Sequence, residues 1–180
     1  MSKHQEVLYP RVLITVGTTE FDDLIKEIDN DFHVLEYLKL LGCQQLSLQF
    51  GRGAYEPSNI IAQCKSLDIA LNLFRFHPTL SEEMSGADLI ISHCGAGSIL
   101  EAVSLHKMLI VVVNPTLQGN HQEELSHAMS SKDYCISTIP KELSKILYDL
   151  VNNKTWNRIS FPEPDYDIFP RLIDEVLDSL

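Results

Sequence analysis

Long apolar runs are missing from this 180-residue chain: the longest, Met108–Val113, has the length of a strand, far short of the roughly 20 residues that a membrane span needs. Basic residues are scarce, 14 Lys and Arg against 25 Asp and Glu, for a formal net charge of −11. That balance argues against a nucleic-acid binder, which needs a basic stripe, and against a polybasic membrane anchor. The four cysteines, Cys43, Cys64, Cys94 and Cys135, include no C-x-x-C pair, so no zinc site is expected. The first residues, MSKHQEVLYP, hold no apolar stretch of the kind a signal peptide carries. The expectation is therefore a cytosolic protein with reduced thiols, in which the sequon Asn153-Lys154-Thr155 is a chance match. Familiar phosphate and nucleophile motifs are absent too. There is no G-x-x-x-x-G-K-[ST] loop and no G-x-S-x-G elbow, and Leu100 stands where a dinucleotide fingerprint starting at Gly95 needs its third glycine.

What is present suffices for a folded core, since 44% of the residues are hydrophobic. Strand-like runs alternate with helical periodicity. The strands are expected at Val12–Val16, Gln45–Phe50, Ile69–Phe74, Asp88–Ser92, Leu109–Val113 and Tyr134–Ser137. Helices are expected over Phe21–Leu41, with a break at Asn30-Asp31 and a C-cap at Gly42, over Pro57–Ser66, from Thr79 or Ser81 to Ser85, and over Ser98–His106, His121–Ser130 and Lys141–Val151. This order predicts an α/β fold: a Rossmann-like, doubly wound parallel sheet of about six strands with helices on both faces. The domain spans residues 10–152. Residues 153–180 read as a linker followed by a C-terminal helix whose apolar stripe is Phe169, Leu172, Ile173, Val176, Leu177 and Leu180. Such a stripe packs either on its own sheet or on a partner.

In an open parallel sheet, ligands bind outside the carboxyl ends of the strands. Those ends carry Gly17-Thr18-Thr19, Gly51-Arg52-Gly53, His93 to Ser98, and Asn114 to His121. The sharpest is Ser92-His93-Cys94-Gly95-Ala96-Gly97-Ser98. Its glycines let the backbone approach a ligand, and the helix N-terminus behind it suits a phosphate. The same pattern also serves as a tight strand-to-helix turn without a ligand. Glu101, one turn into that helix, is placed to accept from a ribose hydroxyl. Asn114–Glu124 gathers amides, a histidine and carboxylates, the groups that read sugar hydroxyls. Asn120 with Glu123 equally fits a helix capping box.

Taken in order, four segments resemble a known family: VGTTEFDDL (Val16–Leu24), LQFGRG (Leu48–Gly53), ADLIISHCGAGSILEA (Ala87–Ala102) and NHQEELSHA (Asn120–Ala128). The chain resembles the catalytic subunits of the eukaryotic UDP-N-acetylglucosamine transferases that add the second sugar to dolichol diphosphate. These are similar to the donor-binding, C-terminal half of the bacterial transferase that makes the peptidoglycan precursor, a GT-B enzyme of glycosyltransferase family 28. The resemblance implies a donor site for UDP-GlcNAc. Gly95, Ala96, Gly97 and Ser98 would face the diphosphate, with His93 beside it. Glu101 would hold the uridine ribose, and the backbone at Phe76 and His77 would read the uracil. Asn120, Gln122 and Glu123 would lie at the sugar hydroxyls. Gly17 and Thr18, with Gly51 and Arg52, would lie near the phosphates and the acceptor.

The resemblance implies inverting transfer with no cofactor and no metal. The catalytic base stays unassigned; His93 is a candidate only, and the second half of the enzyme is another source. A GT-B enzyme has two halves and 180 residues hold one. The resemblance thus implies a membrane-anchored acceptor-binding subunit as partner, a GlcNAc-diphosphate lipid as acceptor, recruitment to the cytosolic face of the endoplasmic reticulum, and docking of the C-terminal helix on that partner. Two other readings stay open: a half-transferase of exopolysaccharide synthesis using another UDP-sugar, and a nucleotide-sugar-binding module without catalysis.

Overall fold

The computed structural model describes residues 9–78, 80–116, 121–153 and 159–162. In chain order the elements are β1 (Arg11–Thr15), α1 (Asp22–Asn30), α2 (Phe32–Leu40), β2 (Gln45–Gln49), α3 (Asn59–Ser66), β3 (Ala70–Phe74), α4 (Leu80–Gly86), β4 (Leu89–His93), α5 (Ala96–Ser104), β5 (Met108–Val112), α6 (His121–Ser130), β6 (Ile136–Thr138), a 3-10 turn at Pro140–Glu142, and α7 (Leu143–Asn153). The six strands form one sheet in the order β3-β2-β1-β4-β5-β6, and every pair is parallel. The order reverses between β1 and β4, so the crevice of this doubly wound sheet opens at the carboxyl ends of those two strands.

Side-chain alternation assigns each helix to a face. Val12, Ile14, Leu46, Leu48, Leu89, Ile91, Ile110 and Val112 meet Leu24, Ile25 and Ile28 of α1, Val34, Leu35 and Leu38 of α2, and Leu143 and Leu147 of α7. On the other face Leu13, Ile90, Leu109 and Val111 meet Met84 of α4, Ile99, Ala102 and Val103 of α5, and Met129 of α6. β4 and β5 are buried along their whole length, which is why β5, and β4 as far as Ile91, read as apolar runs rather than alternating ones.

The expected break at Asn30-Asp31 is real. Asp31 ends α1 and caps α2, its Oδ1 accepting from the His33 backbone N–H at 3.0 Å. Gly42 ends α2 as a left-handed residue, φ 93°. Its N–H donates to the Lys39 carbonyl (2.9 Å) and that of Cys43 to the Leu38 carbonyl (3.0 Å), a Schellman closure. Element bounds shift from the sequence reading by one or two residues. The shift that matters is at α5, which begins at Ala96 and not Ser98: Ala96, Gly97 and Ser98 are the first turn of the helix and not a loop before it. The expected cap at Asn120, the helix start at Thr79 and the C-terminal stripe fall outside the described residues. Of the segment before the stripe, Ile159 donates its N–H to the Asp133 carbonyl (3.2 Å), and the Phe161 ring meets Tyr134 edge-on at 5.0 Å. Among the described residues no helix is long and apolar enough to cross a membrane.

Candidate functional site

The crevice between β1 and β4 is built around one imidazole. His93 ends β4 and is 8% exposed. Its ring is packed between two glycines from different loops. A Cβ on Gly17 would come within 2.6 Å of the His93 Cε1, and a Cβ on Gly95 within 2.3 Å of its Nε2. Gly17 also needs the left-handed backbone, φ 60°. His93 Nδ1 is buried and has no hydrogen-bond partner among the described residues. Burial pushes the His93 pKa down, offset in part by the Thr15 backbone, so the ring is neutral at pH 7 and stands as an uncharged wedge between the two loops.

The sign of this shift yields a prediction. A histidine kept neutral in the fold contributes stability above its unfolded pKa, near the ordinary 6.5, and that stability is lost as pH falls through the lowered folded value. Relative to His93→Gln, the wild-type chain therefore loses stability as pH falls below the ordinary histidine value of about 6.5, measured as unfolding free energy in denaturant at each pH. A difference that is flat with pH contradicts the buried neutral ring.

The loop after β1 is fixed from below. The Thr15 hydroxyl donates to Gln49 Oε1 of β2 (2.5 Å) and accepts from the Gly17 N–H (2.9 Å), all of it buried. The Thr19 hydroxyl closes the turn on the Val16 carbonyl at 2.8 Å. Thr18 is exposed at its tip. The loop after β2 locks onto this one: the Arg52 N–H donates to the Thr19 carbonyl (3.2 Å), and left-handed Gly51 lies so close that a Cβ would be 2.5 Å from that oxygen. Arg52 itself is exposed.

Across the crevice, α5 starts with Gly95 as its N-cap and no side chain caps it. Its leading N–H groups and the positive end of its dipole stay available to an anion. Gly97, in that first turn, is exposed, and a Cβ there would meet no atom of the described residues within 4 Å. Nothing in the packing of the described chain requires glycine at this position. Glu101, one turn further, is half-buried and accepts from the Ser81 hydroxyl of α4. It is thereby joined to the helix that follows Phe76, 48% exposed, and exposed His77.

In the Asn114–Glu124 cluster several polar groups are engaged within the fold. Gln122 Oε1 accepts from the Asn114 N–H (3.2 Å), and the Gln122 carbonyl accepts from the Cys94 thiol (3.1 Å). Asn114 Oδ1 is taken by the Thr116 N–H and hydroxyl, at 3.0 and 2.7 Å. The side-chain oxygen of Gln122 thus holds the end of β5, and its backbone ties α6 to the loop after β4. Glu123 is exposed in the first turn of α6. The cysteines are all free and buried, and desolvation pushes Cys94 up to about 11 and Cys135 to about 12. They stay protonated at neutral pH and are poor nucleophiles.

Two residues that the sequence reading did not single out shape the site. Asp22 Oδ2 accepts from the Ala54 and Tyr55 N–H groups, each at 3.2 Å. Arg75 donates to the Gly51 and Gly53 carbonyls at 3.2 and 3.0 Å. Their partners lie more than 20 residues away, beyond the reach of any local pattern. Asp22 reads locally as an acid favoured at a helix start, and Arg75 as a cation at a strand end.

Residues 11–163 match the glycosyltransferase family 28 C-terminal domain. A UDP-N-acetylglucosamine transferase subunit ALG13 from Yarrowia lipolytica is 30% identical over 170 residues, covering 94% of this chain and 85% of that protein. The mouse protein of that name is 38% identical over 144 residues, covering 76% of this chain but 12% of its own length; this chain therefore spans a small part of that relative. Among solved structures, an ALG13 solution structure shares the fold with a TM-score of 0.62 at 23% identity, over 96% of this chain and 98% of that one. Acinetobacter baumannii MurG does so with a TM-score of 0.56 at 18% identity, over 85% of this chain and 43% of that one. With the sheet order and the crevice described above, the match over residues 11–163 places this chain in glycosyltransferase family 28, as its C-terminal domain.

Proposed function

We propose that this chain is the donor-binding subunit of a UDP-GlcNAc transferase. Together with a membrane-anchored second chain it moves GlcNAc onto a GlcNAc-diphosphate lipid, a dolichol lipid at the cytosolic face of the endoplasmic reticulum. The observation that carries this reading is the first turn of α5: an uncapped helix N-terminus at the switch point of the sheet, with room beside Gly97 for a ligand to touch the backbone. The names of the similar proteins, each a subunit of a UDP-N-acetylglucosamine transferase, supply the sugar and the idea of a second chain.

The chemistry follows from the dipoles. The 4-hydroxyl of the acceptor sugar attacks the anomeric carbon of the donor. A new C–O bond forms there, the bond to the diphosphate oxygen breaks with inversion, and the hydroxyl proton passes to a base on the acceptor side. Negative charge grows on the leaving UDP, where the N–H groups at the start of α5 stabilise it without reorganising. The loop at Gly17 and Thr18 and the turn at Gly51 and Arg52 close the same crevice around the phosphates. Glu101 holds the ribose, and the Phe76–His77 loop lies against the base.

UDP titration of the full chain tests the donor site. Glu101→Ala removes a carboxylate acceptor from the ribose, and hydrogen bonds to charged groups contribute roughly 1.5–3 kcal/mol. UDP affinity then falls about 10- to 100-fold, with the thermal midpoint little changed because Ser81 can turn its hydroxyl to water. A folded Glu101→Ala chain with wild-type UDP affinity contradicts the assignment.

A further inference from the structure

The turn that carries Arg52 is held by opposite charges on its two sides. Arg75, immediately after β3, gives N–H bonds to the Gly51 carbonyl (3.2 Å) and the Gly53 carbonyl (3.0 Å), pairs with Glu56, and lays its guanidinium over the Phe50 ring at 4.6 Å. Asp22 takes the N–H groups of the next two residues, Ala54 and Tyr55. The carboxylate thus accepts from the Ala54 and Tyr55 amides on one side, and the guanidinium donates to the Gly51 and Gly53 carbonyls on the other. A planar fork can serve two carbonyls and a carboxylate at once, whereas an ammonium cannot match that geometry. The residues that follow Arg75 in the chain are Phe76 and His77, the exposed loop that the proposed function sets against the base.

We propose that Arg75 is a positioning residue of the donor site: it couples the Phe76–His77 loop to the Gly51–Arg52–Gly53 turn, so that a nucleotide seated at the first loop tightens the second. The proposal rests on the donor-site reading above. It assigns Arg75 no contact with substrate. Its effect passes through the backbone carbonyls that it holds.

The amides of Arg52, Ala54 and Tyr55 are hydrogen-bonded in this structure, so their hydrogen exchange reports opening of the turn. The experiment is hydrogen–deuterium exchange on the full chain, with and without UDP, for the wild type, Arg75→Lys and Glu56→Gln, with thermal unfolding confirming that each is folded. In the wild type, UDP slows exchange at residues 76–77, at 97–101 and at 52–55. In Arg75→Lys, exchange at 52–55 without UDP rises about 10-fold, as expected when charge-assisted bonds are lost, and UDP no longer slows it, while protection at 97–101 persists. Glu56→Gln, which keeps both carbonyl bonds, retains the UDP effect on the turn. A purely structural role for Arg75 would raise the basal exchange and leave the UDP-dependent slowing in place; that result overturns the proposal. If UDP protects neither 76–77 nor 97–101 in the wild type, the donor-site reading fails and this inference falls with it. The two failures are therefore told apart by the wild-type chain.

Discussion

Gly97→Ala keeps the fold and loses the ligand. In the first turn of α5 the added Cβ meets no described atom within 4 Å, and its φ lies outside the left-handed range in which the structure places Gly17, Gly42 and Gly51. Alanine is a better helix former than glycine by up to about 1 kcal/mol, so the variant unfolds at the same denaturant concentration as the wild type or slightly above it. A diphosphate lying on that backbone, however, has to move away from the methyl group, and overpacking of this kind costs roughly 1–3 kcal/mol. UDP affinity thus falls about 5- to 150-fold while stability holds or rises. Side-by-side denaturant unfolding and UDP titration check this. A variant that binds UDP as well as the wild type removes the argument that the ligand sits on the first turn of α5. Gly95→Ala gives the contrast. Its Cβ would run into the His93 ring, which has Gly17 on its other side and little room to retreat, so it damages the fold as well as the site.

Asp29→Ala produces the largest stability loss expected from a single polar side chain here. Asp29 is fully buried in α1. Its Oδ1 accepts from the Ile60 N–H at 2.8 Å and its Oδ2 from the Tyr55 hydroxyl at 2.6 Å. Ser58, the residue in the N-cap position of α3, makes no side-chain cap; a carboxylate from another helix does that work. Truncation removes a cap worth about 1 kcal/mol and leaves the buried Ile60 N–H and the part-buried Tyr55 hydroxyl without the carboxylate partner, whose bonds contribute roughly 1.5–3 kcal/mol. The expected loss is about 2–4 kcal/mol, which lowers the melting temperature of a chain this size by roughly 5–15 °C. Asp29→Asn keeps one acceptor for Ile60 and loses less. A midpoint within a degree of wild type for Asp29→Ala contradicts this account of how α1 and α3 are tied.

How far the sequence could carry these conclusions depends on the range of the interaction. Strands β4 and β5 were legible as apolar runs because burial on both faces erases alternation. The Asp31 break and the Gly42 closure were legible because capping is decided within a few residues. The glycines and Glu101 around α5 stand out in the sequence as candidates through motif spacing. Their exact setting does not, because the start of a helix shifts by a residue or two with the tertiary contacts of its first turn. Pairings across the fold left no local trace. Gly17 and Gly95 meet on the His93 ring only because β1 and β4 are neighbours in the sheet, and that order is a property of the whole topology. The same holds for Arg75 on the Gly51–Gly53 turn and for Asp29 beneath α3. Gln122 shows another contact that its residue type does not announce: its side-chain oxygen is engaged by the Asn114 backbone.

The proposed function makes this chain the donor half of a transferase completed by a second, membrane-anchored chain. The most direct measurement is transfer of GlcNAc from UDP-GlcNAc to a GlcNAc-diphosphate-lipid acceptor, run with the chain alone and then with the candidate membrane subunit. The expected result is product in the mixture and none from the chain alone, with the mixture's activity reduced by Gly97→Ala. No product from the mixture, while the chain still binds UDP, would contradict it and point to another sugar, another acceptor or a module without catalysis.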